Sequence, residues 1–158
     1  MANVKSIPTG YTTVTPSITL NDAPKAIEFY KKAFGATERM RMPGPDGKIM
    51  HAEIQIGTAI IMLNDEVMGS RSAKTQGGSP ISFFLYVEDV GVAHKKAIAA
   101  GGKELMPPTD MFWGDRMGQI EDPFGYRWNI ATHVKDVTPE DMKKGQEAFI
   151  KKQMAGAR

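Results

Sequence analysis

The sequence predicts an α+β fold in which two βαβββ repeats are followed by a C-terminal helix. The stretch ITLNDAPKAIEFYKKAFGA shares its pattern with LYVEDVGVAHKKAIAAGGK when the chain is offset by 67 residues. Three strand-like segments separated by turn residues follow each stretch. The composition also fits, because 41% hydrophobic and 24% charged residues in a chain of 158 are ordinary globular usage. Together these observations predict one domain with two mixed sheets curled into a cup.

Each repeat begins with a strand that ends at an aspartate, Asp22 in the first and Asp89 in the second. Aspartate at this position caps the free N–H groups of a helix start. Gly35 and the pair Gly101-Gly102 end the two helices, since glycine accepts the left-handed conformation there. Two unrelated segments that look alike by chance are the alternative. Duplication is favoured because cap, glycine and following strands coincide at a single offset.

The strands after each helix are predicted from alternating apolar residues and turn residues. They lie near 36–42, 48–56 and 58–64 in the first repeat, and near 103–107, 116–121 and 126–133 in the second. The repeats then cover about residues 11–66 and 79–134, with a linker at 67–78 and a final helix at 138–154 that Thr138 caps.

Composition excludes several function classes. The absence of cysteine rules out disulfides, thiolate metal sites and cysteine nucleophiles. A net charge of +2, from 20 basic and 18 acidic residues, gives no reason to expect nucleic acid or a membrane as a partner. No apolar run approaches the roughly 20 residues that cross a bilayer, and the N-terminus has no secretory h-region. A cytoplasmic location is therefore predicted.

The segments TPSITLNDAPKAIEFYKKAFGA, DGKIMHAEIQIG and WGDRMGQIEDPFGYRWNIATH, followed by TPED, resemble the vicinal oxygen chelate superfamily. This superfamily includes glyoxalase I, extradiol dioxygenases and bleomycin-resistance proteins, and the chain is most similar to its PhnB-like branch over residues 11–142. The resemblance implies a homodimer, either with or without exchange of repeats between subunits. It also implies one metal site at the base of the cup. The family's ligand positions fall here on Thr15, Met62, Ser82 and Asn129.

The residues at these positions are poor metal ligands. Two hydroxyls, a thioether and an amide are neither anionic nor imidazole, and divalent ions need such donors to offset their dehydration. We therefore expect no metal and no cofactor. Strand alternation places Val14, Pro16, Ile18 and Leu20 on the helix side and the polar residues between them in the cup.

The favoured function is the binding of a small molecule, because neutral polar groups among apolar walls are the usual makeup of a ligand pocket. Bleomycin-resistance proteins offer a family analogy, since they bind their drug in a dimer cleft without a protein metal site. The predicted ligand-binding residues are Thr15, Ser17, Met62, Ser82, Phe84, Trp113, Arg116 and Asn129.

Enzymatic activity is the alternative. His51 and Glu53 share one face of a strand, where they could act as an acid/base couple or as ligands of a relocated metal site. The plainer interpretation is a polar strand face held by cross-strand hydrogen bonds. A third class is a scaffold without a ligand, whose cup is plugged by Met62, Phe84 and Tyr86.

Five side chains have structural interpretations. Asp115 and Arg116 are expected to pair and brace a loop, while Trp113 either fills a gap or stacks on a ligand. His94 is predicted to be exposed beside lysines on the second helix. His133 ends the last strand and is expected to face solvent or to be hydrogen-bonded.

Overall fold

The structure, a computed structural model, describes residues 4–156 and contains two four-stranded sheets. In the first repeat the strands pair in the order β1-β4-β3-β2, with β1 parallel to β4 and the other pairs antiparallel. The elements of this repeat are β1 (Ser17–Leu20), α1 (Ala23–Phe34), β2 (Thr37–Pro43), β3 (Ile49–Ile56) and β4 (Ala59–Asp65). A short helix, α2 (Ala73–Gln76), lies in the predicted linker.

The second repeat has the same topology, in the order β5-β8-β7-β6. Its elements are β5 (Ser82–Tyr86), α3 (Val90–Ala99), β6 (Lys103–Asp110), β7 (Asp115–Glu121) and β8 (Arg127–His133). Ser17 is paired with Met62 in the first sheet, and Phe84 with Asn129 in the second. These pairs are related by the offset found in the sequence. The predicted fold of two βαβββ repeats is therefore confirmed.

Both repeat helices begin as predicted. The Asp22 carboxylate accepts a hydrogen bond from the Lys25 amide at 3.1 Å, and the Asp89 carboxylate accepts one from the Val92 amide at 3.0 Å. Gly35 ends α1 in the left-handed conformation, with φ of 67°. The two aspartate caps therefore determine where α1 and α3 begin, and Gly35 determines where α1 ends.

One buried cluster contains the helix-facing sides of both sheets together with α1 and α3. The two repeats meet at Trp128 of β8, whose ring centroid lies 5.5 Å from that of Tyr30 and 4.4 Å from that of Phe34. Below them, the Asp122 carboxylate accepts hydrogen bonds from the Tyr30 hydroxyl, the Trp128 indole and the amides of Phe124 and Tyr126, each at 2.9 Å. Burial raises the pKa of Asp122, although these hydrogen bonds oppose the shift.

Two predictions about residue placement are wrong. Strand β1 begins only at Ser17, so Val14 and Pro16 do not pack on the helix side, and both are exposed. His94 is not a surface residue but is 3% exposed. It is accommodated because it faces Gly118 of β7, where a Cβ atom would lie only 2.7 Å from the imidazole Cδ2. The spacing of residues on α3 does not indicate that the neighbouring strand has a glycine, and so room for an imidazole, at this point.

The C-terminal helix, α4, spans Pro139–Gly156. The Thr138 hydroxyl accepts a hydrogen bond from the Asp141 amide at 3.2 Å, which confirms the predicted cap. Phe149 contacts Phe112, with ring centroids 5.7 Å apart, and so ties the helix to the loop before β7. No helix within residues 4–156 is both long and apolar enough to cross a membrane.

Candidate functional site

The face of the second sheet that points away from α3 carries several of the predicted ligand-binding residues. We call it the second-sheet face. It is formed by Ser82, Phe84 and Tyr86 of β5, Asn129 of β8 and Asp115 of β7, because their neighbours in each strand lie on the opposite face of the sheet. Phe84 and Tyr86 are 47% and 61% exposed, and their ring centroids are 5.0 Å apart. This sheet face therefore presents an open aromatic surface.

A buried amide forms the polar part of this face. The Asn129 amide nitrogen donates to the Ser82 hydroxyl at 3.3 Å and to the Phe83 carbonyl at 3.2 Å. Its oxygen accepts a hydrogen bond from Gln119 at 2.6 Å. Two of the family's four metal-ligand positions thus lie together, but their polar atoms are hydrogen-bonded to each other and to neighbouring groups. They do not fit a divalent metal, which needs anionic or imidazole donors.

Asp115 is the centre of a hydrogen-bond cluster beside the aromatic pair. It is buried, and its Oδ2 accepts from the Tyr86 hydroxyl at 3.1 Å and from the Trp113 indole at 3.0 Å. Its Oδ1 lies 2.8 Å from Nδ1 of His133. The expected pairing of Asp115 with Arg116 is therefore wrong. Asp115 instead joins side chains from β5, β8 and the preceding loop.

His133 lies between two carboxylates. Its Nδ1 faces Asp115, and its Nε2 lies 3.1 Å from the fully exposed carboxylate of Asp136. Hydrogen bonding to Asp115 and then to Asp136 raises the pKa of His133 above its ordinary value. The prediction of a hydrogen-bonded His133 is confirmed. Its position beside the aromatic pair was missed, because only the β7–β8 register, which places Asp115 opposite His133, brings them together.

Arg116 lies apart from this group. Its guanidinium donates to both carboxylate oxygens of Asp110, at 2.6 and 3.0 Å. Next to Asp115 in β7, it points to the opposite side of the sheet and lines a groove of about 480 Å³ with residues that include Asp89 and Thr132. The structure therefore does not bring Arg116 together with Phe84 and Trp113.

The corresponding face of the first sheet is partly covered by the chain's own N-terminal segment. Thr15 and Met62 line a groove of about 430 Å³ whose other walls come from residues 6–13. Thr15 precedes β1, and Ser17 is its first residue, paired with Met62. Within residues 4–156, no residue of the second sheet lines this groove. The two halves of the predicted cup thus remain on separate sheets within one chain.

His51 and Glu53 lie on this first-sheet face, as predicted, with His51 Nε2 3.3 Å from Glu53 Oε1. Glu53 is only 5% exposed. Its carboxylate also accepts from the Tyr11 hydroxyl at 2.6 Å and lies 3.6 Å from the Arg39 guanidinium. The hydrogen bond from Tyr11 lowers the pKa of Glu53, and His51 and Arg39 lower it further, against the effect of burial. A shielded, well-bonded carboxylate of this kind is a weak general base.

Groups of metal-binding side chains are absent from the described part of the chain: nowhere in residues 4–156 do three His, Cys, Asp or Glu side chains converge as a metal site requires. His51 and Glu53 therefore lack a third ligand of these types within one chain.

Replacing Tyr11 with Phe should raise the pKa of Glu53 towards its ordinary value, because Tyr11 is the largest cause of the lowering. A carboxylate with a lowered folded-state pKa stabilises the fold above its unfolded-state pKa, and this contribution is lost as pH falls through the folded value. The acid limb of the stability curve should accordingly flatten in Tyr11→Phe. Carbon-detected NMR titration of the Glu53 carboxyl measures the shift.

Tyr86→Phe is the matched control for this experiment, since its hydroxyl bonds Asp115 instead. An unchanged Glu53 titration in Tyr11→Phe would show that the N-terminal segment does not hold this carboxylate.

Comparison with known proteins gives consistent matches. A model of the Glyoxalase/Bleomycin resistance protein/Dioxygenase superfamily matches residues 11–130. The uncharacterized protein Mb0911c of Mycobacterium bovis is 38% identical over 135 residues, covering 82% of this chain and 89% of that protein. The crystal structure of TioX from Micromonospora sp. ML1 has a TM-score of 0.62 at 25% identity, covering 78% of this chain and 99% of that chain. A PhnB protein from Bacillus cereus shares the fold, with a TM-score of 0.59 at 16% identity over 77% of this chain and 99% of that one.

Proposed function

Because the chain belongs to the Glyoxalase/Bleomycin resistance protein/Dioxygenase superfamily, we propose that it is a metal-free protein that binds a small molecule on the second-sheet face. The observation that carries this proposal is the exposed pair of Phe84 and Tyr86 above the polar groups of Ser82 and Asn129. Aromatic side chains next to a few fixed hydrogen-bonding groups are typical of ligand pockets. We place the protein in the PhnB-like branch and in the cytoplasm as parts of the same proposal.

The binding unit in this proposal is a homodimer. Met40 and Met42 are exposed and pair across the sheet with Glu53 and His51, so they lie on the first-sheet face. Each chain therefore offers two partly apolar sheet faces that it does not itself bring together. In the dimer, the first-sheet face of one copy closes over the second-sheet face of the other. This arrangement would bury apolar side chains and give the ligand a second wall.

An enzyme that uses His51 and Glu53 is the alternative function. Both residues are close enough to exchange a proton, but Glu53 is covered by the N-terminal segment and has three partners. The open surface around Phe84 shows no such obstruction. The binding function is therefore the better supported of the two.

The test is a titration of protein dialysed against EDTA with the apolar fluorescent probe anilinonaphthalene sulfonate, at a protein concentration where sedimentation shows the dimer. We expect saturable binding of one probe per second-sheet face. Phe84→Ala should weaken it by about 10-fold or more, because burying an aromatic side chain contributes about 1.5–3 kcal/mol. Val92→Ala, an exposed apolar residue of α3, is the matched control and should have no effect.

Three results would count against the proposal. Probe binding that disappears with EDTA and returns with one equivalent of a metal would show a metal-dependent site. Equal binding by the Phe84→Ala variant and the native protein would place the ligand elsewhere. A monomer at all concentrations would remove the dimer from the proposal.

A further inference from the structure

The imidazole of His133 is half-exposed and lies at the edge of the second-sheet face, beside the aromatic pair. The Tyr86 hydroxyl and His133 Nδ1 bind the two oxygens of the same buried carboxylate, Asp115. Tyr86 and His133 are therefore neighbours, each held in place by Asp115. A carboxylate on Nδ1 fixes the orientation of an imidazole and leaves Nε2 to face outward.

The group on Nε2 belongs to the chain itself. Asp136 places a carboxylate oxygen 3.1 Å from this nitrogen, yet its side chain is otherwise fully exposed. An exposed ion pair of this kind contributes little, and it exchanges readily with solvent. Asp136 thus shows that His133 Nε2 binds a carboxylate, and the carboxylate of a ligand can displace that of Asp136.

We propose that the second-sheet face binds planar aromatic carboxylates, whose ring stacks on Phe84 and Tyr86 and whose carboxylate replaces Asp136 on His133 Nε2. This inference rests on the proposed function and specifies its class of ligand. The exchange replaces one carboxylate by another, so it leaves no buried charge without a partner. The ring would contact aromatic side chains that are about half exposed in the single chain.

Other charged groups near His133 are few. Asp115 on β7 and Asp136 after β8 face its two nitrogens, and the pKa of His133 is raised by both. Tyr86 of β5 reaches it through Asp115. Arg127, at the other end of β8, is an exposed cation on the same sheet face. The imidazole is charged below its raised pKa, so binding of a carboxylate should weaken as pH rises through that value.

The experiment compares 2-naphthoate with its neutral analogue 2-naphthamide by isothermal titration calorimetry. At pH 6 we expect naphthoate to bind about 10-fold more tightly than the amide, since charge-assisted hydrogen bonds are roughly twice as strong as neutral ones. The difference should vanish at pH 9. His133→Gln should remove the preference at pH 6, because naphthoate binding should fall towards that of naphthamide while the ring contacts with Phe84 and Tyr86 remain.

Two further variants separate His133 from the other charges. Asp136→Asn should tighten naphthoate binding by about 2- to 5-fold. The gain is small because the exposed Asp136–His133 ion pair, with which naphthoate competes, is weak. Arg127→Gln, which removes an exposed cation from the same face, should change nothing. Both positions are exposed, so the fold should be retained.

The outcomes distinguish the two proposals. Equal affinity for naphthoate and naphthamide, both dependent on Phe84, would overturn the carboxylate inference and leave the binding function in place. A naphthoate preference that Arg127→Gln abolishes and His133→Gln retains would overturn it too. Binding of neither compound to the native protein would overturn both proposals.

Discussion

Asp122→Ala is expected to lower the free energy of unfolding by about 3–5 kcal/mol, because each buried donor left without an acceptor costs about 1–3 kcal/mol. The carboxylate is almost completely buried and accepts from two side chains and two backbone amides. Alanine leaves the Trp128 indole, the Tyr30 hydroxyl and both amides without an acceptor where water cannot reach. The loss should be large because Asp122 links α1 of the first repeat to the β7–β8 turn of the second. Urea unfolding at neutral pH measures it.

Two companion variants show which part of this effect comes from the link between repeats. Tyr30→Phe removes only the hydrogen bond from α1 and should cost about 1 kcal/mol. Asp122→Asn keeps the size of the side chain but points an amide N–H group at groups that are themselves donors. The loss of unfolding free energy should therefore fall between the losses in Tyr30→Phe and Asp122→Ala. If Asp122→Ala were no more harmful than Tyr30→Phe, the carboxylate would not be holding the turn.

The β7–β8 turn also shows how far the sequence alone leads. Asp122-Pro123-Phe124-Gly125 predicts a tight turn from local propensity, and the turn forms. The same holds for the caps at Asp22 and Asp89, whose hydrogen bonds lie within four residues of chain. Features decided by neighbouring residues, together with the offset between the repeats, were therefore predictable.

The site residues depend on contacts between distant segments. Arg116 pairs with Asp110 because β6 extends three residues beyond its predicted end. Since successive residues of a strand point to opposite faces of the sheet, Arg116 points away from the face on which Asp115 lies. The cover over Glu53 comes from Tyr11, 42 positions earlier, in a segment with no periodic pattern. His94 is buried because β7 has a glycine opposite it. None of these contacts leaves a signal in the spacing of the residues themselves.

Gly114→Ala should destabilise the protein by about 3 kcal/mol or more and should abolish ligand binding on the second-sheet face. Gly114 has φ of +98°, where a side chain costs about 1–2 kcal/mol. A Cβ atom would also overlap the Lys135 carbonyl oxygen, a backbone atom that cannot rotate away. The Gly114 carbonyl accepts hydrogen bonds from the amides of Val134 and Lys135, at 2.9 and 3.0 Å. A shift of residue 114 would break these hydrogen bonds, and so separate the loop that carries Trp113 from Val134 and Lys135, which follow His133.

Gly47→Ala isolates the conformational part of this cost. Gly47 has φ of +75° but nothing within 4 Å of an added Cβ, so its replacement should cost only about 1–2 kcal/mol. The excess measured by thermal unfolding of Gly114→Ala over Gly47→Ala is then the steric term. That excess should be accompanied by loss of the Trp113–Asp115 hydrogen bond, visible as a shift of the indole N–H resonance. Equal destabilisation by the two variants, with the indole resonance unchanged, would mean that the loop tolerates the extra atom and that Asp115 is positioned by its strand alone.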